Sequence, residues 1–259
     1  MTGYQEDYSA KDPSLYDIEA RTIKAQKIFR VIDDFCVNDP GTCQCLDIGC
    51  SAGINTNFLA DHVRDAVGLD IDGPAIRSGY MRKKQNCDFI IGDATRLPFK
   101  DATYDIVICN HIYEHVPDAD TLMDEIFRVL KPGGFCYFGA GNRFCIIEPH
   151  YRLPFLSWFP KPAADLYLLM LNRDWPYYEN LRSFYGIKKL FSRFSVTDYT
   201  LKIIENPERF YADDTISKKS LIRLIPKSVM KLLMPLIPTY IFILSKPLSG
   251  EESTHEYSG

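Results

Sequence analysis

A doubly wound α/β domain, built on a mostly parallel seven-stranded sheet with helices on both faces, is the fold this sequence predicts. Three observations carry it. Five short, nearly continuous apolar runs follow one another: CQCLDIGC, AVGLDID, CDFIIGD, YDIVICN and GFCYFGA. Helix-compatible stretches separate them, at 56–62, 74–84 and 119–130. The runs lack the apolar/polar alternation of a half-exposed sheet, and continuous runs are what a parallel sheet buried on both faces requires.

The elements follow in order, within a single domain spanning 1–259. Residues 1–45 make an irregular Tyr-bearing arm and then a helix from Asp17 to Phe35, with Ile18, Ile23, Ile28, Phe29 and Ile32 at helical spacing; Asn38, Asp39, Pro40 and Gly41 stop it. The core is expected at 46–142. Residues 143–185 break the rhythm with eleven aromatics and read as a lid insertion after strand five, with a helical patch near 163–172. In 186–246 the rhythm resumes, with a helix near 180–191, a strand from Ser195 to Ile204, a basic helical insertion at 205–238 and a last strand at 239–245. Residues 247–259 read as a disordered tail.

Composition narrows the class. With 259 residues, 46% hydrophobic and 25% charged, the chain is neither disordered, collagenous nor a coiled coil. The net charge of −4 gives no global reason to bind nucleic acid. Charge is segregated, however: Lys218, Lys219, Arg223, Lys227, Lys231 and Lys246 lie in a stretch, 217–246, without an acid. Such a Leu-, Ile- and Met-bearing basic segment suits an interfacial element attracted to anionic lipid, and equally a surface helix that turns its lysines to water. Eight cysteines, several inside apolar runs, read as buried thiols rather than a disulfide scaffold, and no four-ligand zinc set is spaced in the sequence. The acidic N-terminus lacks the apolar run of a secretory signal, and Leu232–Leu244, cut by Pro235 and Pro238, is too short to span a bilayer. A cytoplasmic protein is expected, with 217–238 as the segment through which any peripheral contact with a membrane surface would run.

The chemistry concentrates at strand ends. Strand, then D47-I-G-C-S-A-G53, then helix makes a tight turn whose glycines permit close approach by a ligand. Asp70 ends the second strand 23 residues after Asp47, where a carboxylate can accept from both hydroxyls of a ribose. Asp93 ends the third strand in GDATRLPF, Asn110 the fourth, and KPGG turns into the fifth. In an open parallel sheet these ends line one crevice.

With these motifs in order, residues 46–138 resemble the class I S-adenosylmethionine-dependent methyltransferases, of the type 11-like branch: LDIGCSAG is similar to their first motif, GLDI to the ribose-binding strand, GDATRLPF to the adenine-binding loop, and YDIVICNHIYEHVPD and LKPGGF to the fourth and fifth strands. The resemblance implies S-adenosylmethionine as cofactor and S-adenosylhomocysteine as product. It implies that the turn Asp47, Gly49, Cys50 and Gly53 approaches the methionine part and that Asp70 binds the ribose. By the same carry-over, Ile71 packs on the adenine, Asp93 with the Ala94 amide reads its edge, and Asn110 lies under the methionine side. Ser51 stands where the pattern has glycine, so either the turn is rearranged or the hydroxyl serves the ligand. A dinucleotide oxidoreductase would share the glycine turn and acid but has no use for GDATRLPF or LKPGGF.

The implied reaction is direct displacement of a methyl group by an acceptor oxygen, nitrogen or carbon, aided by alignment and, where a proton must leave, a base. His111 and His150 are the candidate catalytic residues, His115 a structural one. The acceptor expected is a small or lipid-linked molecule. The alternatives are a non-catalytic cofactor-binding protein and a methyltransferase acting on RNA or protein; the net negative charge disfavours the last. Tyr151 and Trp158 could wall an acceptor pocket, and Tyr4, Tyr8 and Tyr16 could close over the cofactor. No metal is expected.

Overall fold

The computed structural model describes residues 9, 13–173, 176–214, 216, 220, 225–248, 250 and 255–256. Helix α1 (Ile18–Phe35) starts where Asp17 accepts the Ala20 N–H at 3.0 Å, a side-chain cap for an otherwise orphan donor. It buries Ala25, Ile28, Val31 and Ile32; Ile18, expected on that stripe, is exposed in the first turn.

Next come β1 (Gln44–Ile48), α2 (Ile54–Leu59), β2 (Asp65–Asp70), α3 (Gly73–Tyr80), β3 (Cys87–Ile91), β4 (Tyr104–Asn110), α4 (Ala119–Val129) and β5 (Leu130–Gly141). The lid holds a short hairpin, β6 (Ile147–Glu148) and β7 (Leu153–Pro154), and α5 (Lys161–Met170). Then follow α6 (Phe184–Lys189), β8 (Ser195–Asp198), α7 (Thr200–Glu205), α8 (Lys227–Leu233), β9 (Thr239–Ser245) and β10 (His255–Glu256).

One sheet runs in the order β10-β8-β9-β5-β4-β1-β2-β3. Strands β3, β2, β1, β4 and β5 are mutually parallel, and β9 lies antiparallel between β5 and β8. Leu46, Ile48, Val107, Cys109, Cys136 and Phe138 enter the layer under α4 and α6, while Cys45, Ile106, Ile108, Phe135 and Tyr137 enter the layer under α1. Both faces are therefore covered, which explains the unbroken apolar runs.

Three expectations need correction. The run 195–204 is not one strand: Asp198 accepts the Thr200 N–H at 2.8 Å, stops β8 and lets α7 begin. Helix α6 begins only at Phe184, because Ser183 caps it by accepting the Gly186 N–H. The tail expected to be disordered contributes an eighth strand of two residues, His255–Glu256, parallel to Val196–Thr197; β8 would otherwise present unpaired backbone groups on that edge.

The two insertions pack differently. In the lid, Leu156, Ala164, Leu168 and Tyr177 form a small core of their own with Tyr151, Leu153 and Tyr167, while Trp175 lies outside the described residues. In the basic segment α8 anchors through buried Met230 and leaves Lys227, Lys231 and Leu232 exposed; Lys218, Lys219 and Arg223 lie outside the described residues. Among the described residues no helix is long and apolar enough to cross a membrane.

Candidate active site

The sheet reverses its winding between β1 and β4, and the crevice outside their carboxyl ends is where an open α/β sheet takes its ligand. A cavity of about 240 Å³ lies there, walled by Gly49, Asp70, Ala94, Asn110 and Ile112 from successive strand ends.

The turn after β1 folds over β2: the Gly49 and Cys50 amides both donate to the Leu69 carbonyl, at 2.7 and 3.1 Å. Gly49, Ser51 and Gly53 alternate in the left-handed region, at φ 71°, 52° and 69°. A Cβ on Gly49 would sit 2.0 Å from Ile112 and one on Gly53 2.3 Å from Phe89, so both positions demand glycine on two counts. Ser51 adopts the glycine-like conformation instead of rearranging the turn. Its buried Oγ has no hydrogen-bond partner among the described residues.

Asp70 is the pivot. One carboxylate oxygen accepts the Ser51 N–H at 2.7 Å and the other the Asp72 N–H at 2.9 Å. Burial raises its pKa, and the amides of Asp72 and Ser51 oppose the rise. Each oxygen keeps a second acceptor direction. Asp72 caps α3 through the Ala75 N–H and accepts the Ser9 N–H at 2.6 Å. Leu15 lines the cavity; Tyr16 does not, and Tyr4 and Tyr8 lie outside the described residues.

Of the residues singled out from sequence, Gly49, Asp70, Ile71, Ala94, Asn110, His111 and His150 line the cavity; Asp47, Cys50, Gly53 and Asp93 stand behind it. Asp47 is buried and accepts from the Thr56 hydroxyl at 2.6 Å, tying β1 to α2; burial pushes its pKa up to about 6. Asp93 shapes its loop by accepting both the N–H and the hydroxyl of Thr95 at 2.8 Å. Burial pushes the Cys50 thiol up, leaving it an inert packing group.

Among the lining residues that were missed are two cationic ones, Arg21 and Lys24 on α1. Burial, helped by the neighbouring Arg21 charge, pushes the Lys24 ammonium down to about 8. A signal existed: Arg21 continues the buried stripe Ala25, Ile28, Ile32 one turn toward the N-terminus, and Lys24 likewise precedes Ile28 and Val31.

On the acceptor side each of three histidines meets a buried carboxylate. His111 Nδ1 lies 3.1 Å from Glu114, His115 Nδ1 2.7 Å from Glu179, and His150 Nδ1 2.9 Å from Glu148. Burial alone would lower the His150 pKa, but the Glu148 hydrogen bond and the Glu179 charge raise it to about 9. His111 sits at φ 58°, in the left-handed region, and its N–H donates to the Gly139 carbonyl at 2.9 Å. Trp158 instead braces the lid, donating from Nε1 to the Cys145 carbonyl at 2.8 Å.

A doubly wound domain with a glycine turn and a second-strand acid at its switch point has the crevice in which open α/β sheets take their ligands. Residues 46–138 match the methyltransferase domain family. It is 34% identical over 137 residues to a fatty-acid O-methyltransferase of Mycolicibacterium smegmatis, covering 49% of this chain and 44% of the relative. It is 30% identical over 146 residues to a demethylmenaquinone methyltransferase of Renibacterium salmoninarum, covering 52% and 61%. The chain thus spans about half the length of the curated relatives it matches. Among solved structures, an S-adenosylmethionine-dependent methyltransferase of Methanosarcina mazei superposes with a TM-score of 0.55 at 19% identity, over 84% of this chain and 97% of that one.

Proposed function

We propose that the chain transfers the methyl group of S-adenosylmethionine to an apolar or lipid-linked small molecule by direct displacement. The observation that carries this reading is the Asp70 carboxylate held at the end of β2 by two backbone amides, beside a turn that excludes side chains at Gly49 and Gly53. These residues fit the cofactor: Asp70 retains acceptor capacity for two hydroxyls, Ile71 and Ala94 offer an apolar wall to the base, and the buried Ser51 hydroxyl lacks a partner among the described residues. When bound, the cofactor supplies a sulfonium-activated methyl group, so positioning contributes most of the rate.

The chain's own residues do the rest. Lys24 and Arg21 offer cationic groups to the amino-acid carboxylate. Glu114 holds His111 through Nδ1, leaving Nε2 to take a proton from an acceptor hydroxyl or carboxylic acid. His111 is thereby the proposed base, while His150 bounds the acceptor end. Named relatives that methylate a fatty acid and a demethylmenaquinone support an apolar acceptor. Exposed Leu232 and Val229 beside Lys227 and Lys231 support peripheral contact with anionic lipid; co-sedimentation with anionic vesicles at low salt is the expected outcome, and protein left in the supernatant rejects that contact.

Calorimetry with S-adenosylhomocysteine tests the main reading. Wild type should bind, and Asp70→Ala should weaken binding by about 100-fold, two charge-assisted hydrogen bonds being worth about 3 kcal/mol together. Equal affinity in the two proteins would refute the assignment.

A further inference from the structure

We propose that His115, His150 and Glu179 form a binding site for one divalent transition-metal ion at the acceptor end of the cavity. They come from three separate places in the chain: the segment after β4, the turn after β6, and the run between α5 and α6. One ligand atom from each lies within 4.8 Å of the other two. His115 Nδ1 and Glu179 Oε2 are 2.7 Å apart, and the two imidazoles stand edge to face at 84° with centroids 5.0 Å apart. A tetrahedral ion with ligands at about 2.0–2.1 Å needs donor separations of about 3.3 Å. Binding therefore opens the His115–Glu179 pair slightly and draws together those donors that stand farther apart, up to 4.8 Å.

The surroundings are those of a metal site. Glu148, fully buried, holds His150 by Nδ1 at 2.9 Å and accepts the Tyr151 N–H at 2.7 Å with its other oxygen. This fixes the ring and leaves Nε2 as the donor, the carboxylate–histidine arrangement that orients metal ligands. Glu114 lies alongside, also fully buried, and its Oε2 has no hydrogen-bond partner among the described residues. Three buried carboxylates around two imidazoles make a field that favours a cation. Two nitrogens and one oxygen leave coordination positions open. His115 and His150 line the cavity, so those positions face the space where an acceptor sits. Resting on the methyl-transfer reading, the ion would anchor the acceptor oxygen and favour its deprotonated form, the proton leaving through His111 to water.

The test is Co²⁺ titration of the full metal-stripped chain at neutral pH, followed by visible absorption and equilibrium dialysis. One equivalent should bind with a nitrogen/oxygen-type spectrum. His150→Ala and Glu179→Gln should each weaken binding at least tenfold, while their melting temperatures still rise with S-adenosylhomocysteine. Glu148→Gln, a change in a positioning residue, should weaken it 10- to 100-fold. No binding at 100-fold excess, an intense thiolate-to-cobalt band from the cysteines, or equal binding by the first two variants would overturn the site. S-adenosylhomocysteine binding is measured separately with chelator present, so failure of the cofactor reading and failure of the metal site give different results.

Discussion

The two ends of the cavity hold their polar groups by different means. At the cofactor end Asp70, Asp72 and Asp93 are held largely by backbone N–H groups, and Asp47 by a hydroxyl nine positions away. At the acceptor end His115 pairs across with the side chain of Glu179 on the lid, while His150 pairs with Glu148 within the lid. Backbone partners come with the fold, whereas side-chain pairs across a lid exist only when the lid is in place. The first end is therefore a fixed receptacle, and the second is assembled.

The largest effect that sharpens this contrast is thermodynamic. Asp47 titrates near 6 in the folded chain because it is buried, against about 3.9 when unfolded. Its folded pKa is raised, so the protonated acid contributes stability in full below pH ~4, and that contribution is lost as pH rises through 6. Two units correspond to about 3 kcal/mol. Asp47→Asn cannot ionise, so its unfolding free energy, measured by urea titration, should gain about 3 kcal/mol on wild type between pH 4 and 7. A constant difference would show that Asp47 is solvated and the receptacle is looser than described.

Lys24 breaks the contrast if it fails. It is a side chain of the cofactor end whose ammonium titrates near 8. If it meets the amino-acid carboxylate of the cofactor, affinity for S-adenosylhomocysteine should fall about tenfold as pH rises from 7 to 9.5. Lys24→Met should bind about tenfold more weakly at pH 7 and show less of that slope. An unchanged slope in the variant would assign the titration to the ligand's own amine.

The same difference explains what the sequence revealed. The glycine turn and Asp70 were legible because strand, turn and helix are local and the acid follows at a fixed spacing. The pairing of His150 with Glu148 was equally local but lacked a pattern to identify it. Glu179 was invisible: its partner His115 is 64 positions away, and only the folded lid brings them together. Arg21 and Lys24 were missed because an apolar stripe was read without asking which charged residues extended it. The strand at 195–204 was over-read because Val196, Tyr199, Leu201 and Ile204 are apolar enough for either element; the turn in which Asp198 accepts the Thr200 N–H decided it.

The smallest predicted effect tests the receptacle at its one irregular point. Ser51 holds a left-handed conformation that costs an L-residue about 1 kcal/mol, and its buried hydroxyl has no partner among the described residues. Ser51→Gly relieves that strain at the expense of backbone entropy in the unfolded chain, so apo stability should rise by at most about 1 kcal/mol. Cofactor affinity then discriminates. If the strain is kept for the ligand, the more stable variant should bind S-adenosylhomocysteine three- to tenfold more weakly, because the hydroxyl that it lacks is the group left waiting for a partner. Unchanged affinity would mean that backbone amides alone make the receptacle, and that serine is tolerated there because the surrounding turn, tied to Leu69 and Asp70, over-determines the conformation.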